Sequence, residues 1–169
     1  MNEKIICEVM LKSYKYLEAM CDQVEAKAII CALGSRNKDV FECAERLIQL
    51  NNEKITYCNI KVIIDEALNS ISRSDELKAY YIDGEFYKDI AQREKITERT
   101  FFYRLKKQKK LSFEAIQERY DTECLFELVR GSRWLFDRYH KAVRRAENEG
   151  KGKGKEMNDQ KPKTAQVGK

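Results

Sequence analysis

Proline occurs once in 169 residues, and glycine seven times, four of them after residue 149. A fold of many short strands needs more turn punctuation than that, so the expectation is an all-α protein. There is one histidine, His140, and no two cysteines are spaced as a CxxC pair. A Cys/His zinc site therefore has no closely spaced ligand pair to start from. No run approaches 18 apolar residues, so no membrane span is expected. The opening residues, 1–4, lead into a helical pattern and show no signal-peptide character. The six cysteines, at 7, 21, 31, 43, 58 and 124, mostly occupy apolar helical positions. They read as reduced thiols in a cytoplasmic protein. No glycine loop cradles a phosphate: the glycines at 150, 152 and 154 neither follow a strand nor open a helix. Asp65-Glu66, Asp121/Glu123 and His140 all have ordinary helix-surface or capping explanations. Neither an enzyme nor a cofactor is expected.

What is present is charge, unevenly placed. The chain carries 33 basic and 28 acidic residues, a net charge of +5. Residues 1–74 and 114–150 are each close to neutral. The excess sits in 75–113 and in the tail, 151–169. Residues 97–110 hold Arg99, Arg104, Lys106, Lys107, Lys109 and Lys110 against Glu98 alone. Concentrated positive charge on one helix is the electrostatic footprint of a nucleic-acid contact.

Periodicity supplies the organisation. Ile6, Met10, Leu17, Val24 and Cys31 mark a long helix over 4–33, closed by Gly34. A second helix runs from an Asp39 cap to Leu50, Asn51-Asn52 breaks it, and a third spans 53–71. Residues 75–82 form a short helix capped by Ser74, 85–94 the next, and Thr97 caps a helix over 97–110. A weaker helix follows at 114–120 and a long one at 122–148. The Gly-Lys repeat and polar remainder beyond 149 predict a disordered basic tail. The expected organisation is thus an N-terminal helical region (1–72), a DNA-binding region (73–113), a C-terminal helical region (114–149) and the tail (150–169).

The stretch 87–105 reads Y-K-D-I-A-Q-R-E-K-I-T-E-R-T-F-F-Y-R-L. Ile90 and Leu105 point to a small core, and Ala91 sits where two helices cross. Ile96 plugs the turn, and Phe101 packs back on the first helix. This stretch resembles the helix-turn-helix of sigma-70 region 4 and related bacterial regulators. The shared pattern is Ile90-Ala91, Ile96-Thr97, Arg99-Thr100 and Leu105, in register and without gaps. Glu94 and Lys95 stand where that pattern carries an apolar residue and glycine. Glu94 weakens the small core unless its charge swings out, and Lys95 must tolerate the backbone angle that glycine normally supplies, at a cost where φ is positive. The wider layout is similar to phage late-transcription regulators of the RinA and ArpU type.

The resemblance implies a transcriptional regulator that inserts helix 97–110 into the major groove of double-stranded DNA. The surface then comprises Thr97, Glu98, Arg99, Thr100, Phe102, Tyr103, Lys106 and Lys107. RNA polymerase and a second copy of the chain are the further partners this reading allows. The competing expectation is a helical protein-interaction module, or a polymerase-associated factor that does not bind DNA alone. The stripes of 4–33 and 122–148 either pair within the chain or join two copies.

Overall fold

The computed structural model describes residues 2–34 and 39–156, and they are all-helical, without a strand among the described residues. The helices are α1 (Glu3–Leu33), α2 (Val40–Ser70), α3 (Asp75–Leu77, continued by a π-helical turn Lys78–Ile82), α4 (Tyr87–Arg93), α5 (Glu98–Gln117), α6 (Thr122–Arg130) and α7 (Arg133–Glu156). No helix among these residues is long and apolar enough to cross a membrane.

α1 and α2 are joined as a helical hairpin, and α1 also touches α5, α6 and α7. The stripe on α1 is buried where it was expected: Ile6, Met10, Leu17 and Val24 lie in the core. Burial of one such aliphatic side chain contributes about 1.5–3 kcal/mol, so this face holds the bundle together. Leu125, Leu135 and Tyr139 bring the C-terminal stripe into the same core, together with Ile90, Phe101 and Leu105. Both long stripes are thus covered within one chain.

Three expected boundaries are corrected. α2 runs unbroken through Asn51-Asn52. Both asparagines face solvent, where each costs only a few tenths of a kcal/mol in helix propensity, while Leu50, Thr56 and Tyr57 on either side are buried. α5 likewise continues through Leu111 to Gln117, because Phe113 and Ile116 reach the core. Its Ser112 returns a hydrogen bond to the Lys109 carbonyl at 2.9 Å.

The C-terminal helix, expected to be continuous, divides at Gly131-Ser132. A Cβ at Gly131 would stand 2.7 Å from the Thr56 hydroxyl, so only glycine lets the chain pass this close to α2. Ser132 then restarts the helix, with its hydroxyl 2.8 Å from the buried Tyr57 hydroxyl. The break leaves the apolar spacing intact, which is why periodicity did not reveal it. The tail expected to be disordered over 150–169 is helical in its backbone as far as Glu156. Propagating an established helix requires only one hydrogen bond per added residue. Residues 157–169 lie outside the described residues.

Candidate nucleic-acid interface

α4 and α5 are joined by a tight left-handed turn. Lys95 has φ = 53°, the only non-glycine residue with positive φ among the described residues. The Ile96 N–H donates to the Ala91 carbonyl at 3.0 Å and the Lys95 N–H to the Gln92 carbonyl at 3.1 Å. This pair of bonds is a Schellman motif with lysine in the position that favours glycine. Ile96 is half-buried and packs against the core. Glu94 is exposed and lies 3.5 Å from the Arg93 guanidinium, so its charge does swing outward. Arg93 also pairs with Glu85 at 2.6 Å, tying α4 back to the chain that precedes it.

Thr97 begins α5 as expected. Its hydroxyl accepts the Thr100 N–H at 3.2 Å and lies 2.9 Å from the Thr100 hydroxyl. Ile90 and Phe101 are fully buried, and Ala91 and Leu105 nearly so. Phe101 stacks on Tyr87 with ring centroids 6.4 Å apart and meets Tyr80 edge-on at 5.9 Å.

The other face of α5 is open. Thr97, Glu98, Arg99, Lys106 and Lys107 are exposed, and Thr100 is half-buried by its capping role. Phe102 and Tyr103 are 46% and 71% exposed. Phe102 keeps one side against Tyr87, at 5.2 Å between centroids. Arg99, Phe102/Tyr103 and Lys106/Lys107 follow one another at three- and four-residue steps, which places them on one surface.

The six basic residues of 97–110 separate into two groups. Arg104 pairs with Glu76 at 3.2 Å, Lys109 lies 3.6 Å from Glu8, and Lys110 lies 3.4 Å from Glu114. Arg99, Lys106 and Lys107 have no acidic partner among the described residues. The unneutralised charge is therefore concentrated in the N-terminal half of α5.

A buried polar cluster sets the direction of that half. Ser74 was expected to cap α3, but its side chain makes no capping bond. Gln108 of α5 does this work from across the fold: its carbonyl accepts the Leu77 N–H at 2.9 Å, and its amide donates to the Glu76 carboxylate. Burial alone would push the Glu76 carboxyl up. Hydrogen bonds from Gln108, from its own backbone N–H and from Arg104 outweigh that and hold it below the ordinary range. Sequence reading counted Arg104 as part of the basic surface and did not single out Glu76 or Gln108. A glutamate in the first turn of a short helix has an exposed-dipole explanation that conceals such a role.

The remaining candidate carboxylates and the histidine serve the fold. Asp65 accepts the Tyr14 hydroxyl at 2.6 Å, and Glu66 accepts the Tyr120 hydroxyl at 3.1 Å. Asp121 accepts the Cys124 N–H at 2.7 Å and caps α6. His140 is exposed on α7 against the Phe136 ring, 4.3 Å between centroids. Among the described residues, no three His, Cys, Asp or Glu side chains gather as a metal would require.

Two outcomes are expected from this geometry. Lys95→Gly relieves the left-handed backbone, offset in part by glycine's greater unfolded-state freedom. It should raise stability by roughly 0.5–1 kcal/mol, read as a higher urea midpoint with an unchanged slope. Glu76 has a depressed native pKa, so its stabilisation is fully present above the ordinary value of 4.5 and is lost as pH falls through the native value. Glu76→Gln should therefore lower stability at pH 7 and flatten its decline below pH 4.5, measured by thermal melts across that window. Compared with known proteins, the chain matches no family model, no curated protein and no solved structure.

Proposed function

We propose that the chain is a sequence-specific, duplex-DNA-binding regulator of transcription that lays the N-terminal half of α5 in the major groove. The observation that carries this reading is the open face of α5. Arg99, Lys106 and Lys107 are exposed and unneutralised there, beside exposed Phe102 and Tyr103, on a helix whose start is fixed by the Lys95 turn and the Thr97 cap. In a helix-turn-helix the first turns of the second helix meet base edges, and flanking cations meet phosphates. Under this reading Arg99 donates two hydrogen bonds to a guanine edge, and Tyr103 offers a hydroxyl and a ring to base or sugar. Lys106 and Lys107, one to two turns further on, suit the phosphate backbone. Glu98 lies in the first turn, where its charge stabilises the helix dipole.

The in-register resemblance to sigma-70 region 4 supports the same reading. In the structure its pattern residues take the parts that such a unit requires: buried Ile90, Ala91 and Leu105, a half-buried Ile96 in the turn, and a capping Thr97. RNA polymerase is a further partner under this reading, since region 4-like units act beside it.

Fluorescence-anisotropy titrations of duplex DNA between 50 and 200 mM salt test the assignment. Arg99→Ala should cost about 1–3 kcal/mol on the best-bound duplex and reduce discrimination between sequences. Lys106→Ala should weaken all duplexes alike and lower the salt slope by about one. Unchanged affinity in both folded variants would reject α5 as the contact helix.

A further inference from the structure

We propose that a second copy of this chain packs along the outer face of α2, making the protein a homodimer. The inner face of α2 is set by Leu50, Tyr57, Ile60, Ile64 and Ala67, all buried. On the opposite side, Phe41, Ile48, Ile55 and Val62 recur every seven residues. They are 80%, 60%, 47% and 52% exposed. Three residues after each of the first three stand Ala44, Asn51 and Cys58, all exposed as well. A helix with only one buried face carries polar residues opposite its core. α2 instead presents an apolar seam with a 3–4 alternation over three heptads, about 32 Å long at 1.5 Å per residue.

Three features identify the occupant as a second copy. Ile48, Ile55 and Val62 put β-branched side chains at the repeated positions, the kind that helix pairs carry along a seam. The small residues between them let two helix axes approach. Asn51 places one amide inside the seam, where pairing with its own counterpart fixes the register.

The area agrees. With Val40 at 77% exposure, the five large apolar residues offer about 600 Å² per copy. Full cover of these residues on both copies buries at most about 1,200 Å² before the smaller residues are added, the lower end of the range of a stable specific interface. Arg119 and Tyr120, just beyond the end of α5, meet Glu66 one turn past Val62, so the seam ends there. The inference does not depend on whether α5 reads DNA.

Light scattering of the full chain as it elutes from a sizing column tests the proposal. The wild-type chain should show twice 19.9 kDa, with dissociation on dilution. Ile48→Glu combined with Ile55→Glu should give the single-chain mass with unchanged helical circular dichroism, because both side chains lie outside the core. Ile55→Gln, which adds no charge, should raise the dissociation constant several-fold. A single-chain mass for the wild type at every concentration would overturn the proposal. So would a dimer that survives the double substitution, since that places the interface elsewhere.

Discussion

The buried cluster of Glu76, Gln108 and Arg104 is the constraint on which the candidate interface depends. α5 is a 20-residue helix with a lysine-rich surface, and its apolar stripe alone allows it to roll or slide on its neighbours. Gln108 removes that freedom by capping the Leu77 N–H and donating to Glu76 at once. A buried carboxylate without such partners would cost several kcal/mol, so the arrangement is held by the penalty for breaking it. Arg104 completes the cluster from a half-exposed position. This turn of α5 is thus tied to the fold by polar bonds, and the turns before it hold to the core only through Phe101 and Leu105.

The two ends of α5 consequently differ in kind. Its C-terminal half sends Phe113 and Ile116 into the core shared by α1 and α2. Its N-terminal half touches the body through Phe101 and Leu105, and presents the rest to solvent. The Lys95 turn and the Thr97 cap determine where this half begins. The cost of a left-handed lysine is about 1–2 kcal/mol, met by the Schellman bonds and by Ile96 closing over Ala91. Local strain of this size persists where surrounding packing specifies the conformation.

Much of this was legible in the sequence because it follows from periodicity and from special backbone positions. The α1 stripe and the Thr97 cap follow from residue type at a known place in a pattern, and Glu94 and Lys95 stood out as the departures that the turn had to absorb. The continuity of α2 across Asn51-Asn52 was not legible, since weak local propensity is overridden by burial on both sides. Nor was the break at Gly131-Ser132, whose reason is a hydroxyl on a different helix, Thr56 of α2. The division of the basic residues between ion pairs and open charge depends on Glu8 and Glu76, 101 and 28 residues from their partners Lys109 and Arg104. The outer seam of α2 was readable as a spacing, but it overlaps the buried stripe in sequence, and only the fold separates the two faces.

The role proposed for the open face of α5 is to read duplex DNA. Selection from a random duplex library by the purified full chain, at ~150 mM salt where nonspecific phosphate contacts are already weakened, tests it most directly. An enriched motif is expected, with Arg99→Ala in a folded protein relaxing selection at the position it contacts. Absence of any enrichment by the folded wild-type chain would contradict it.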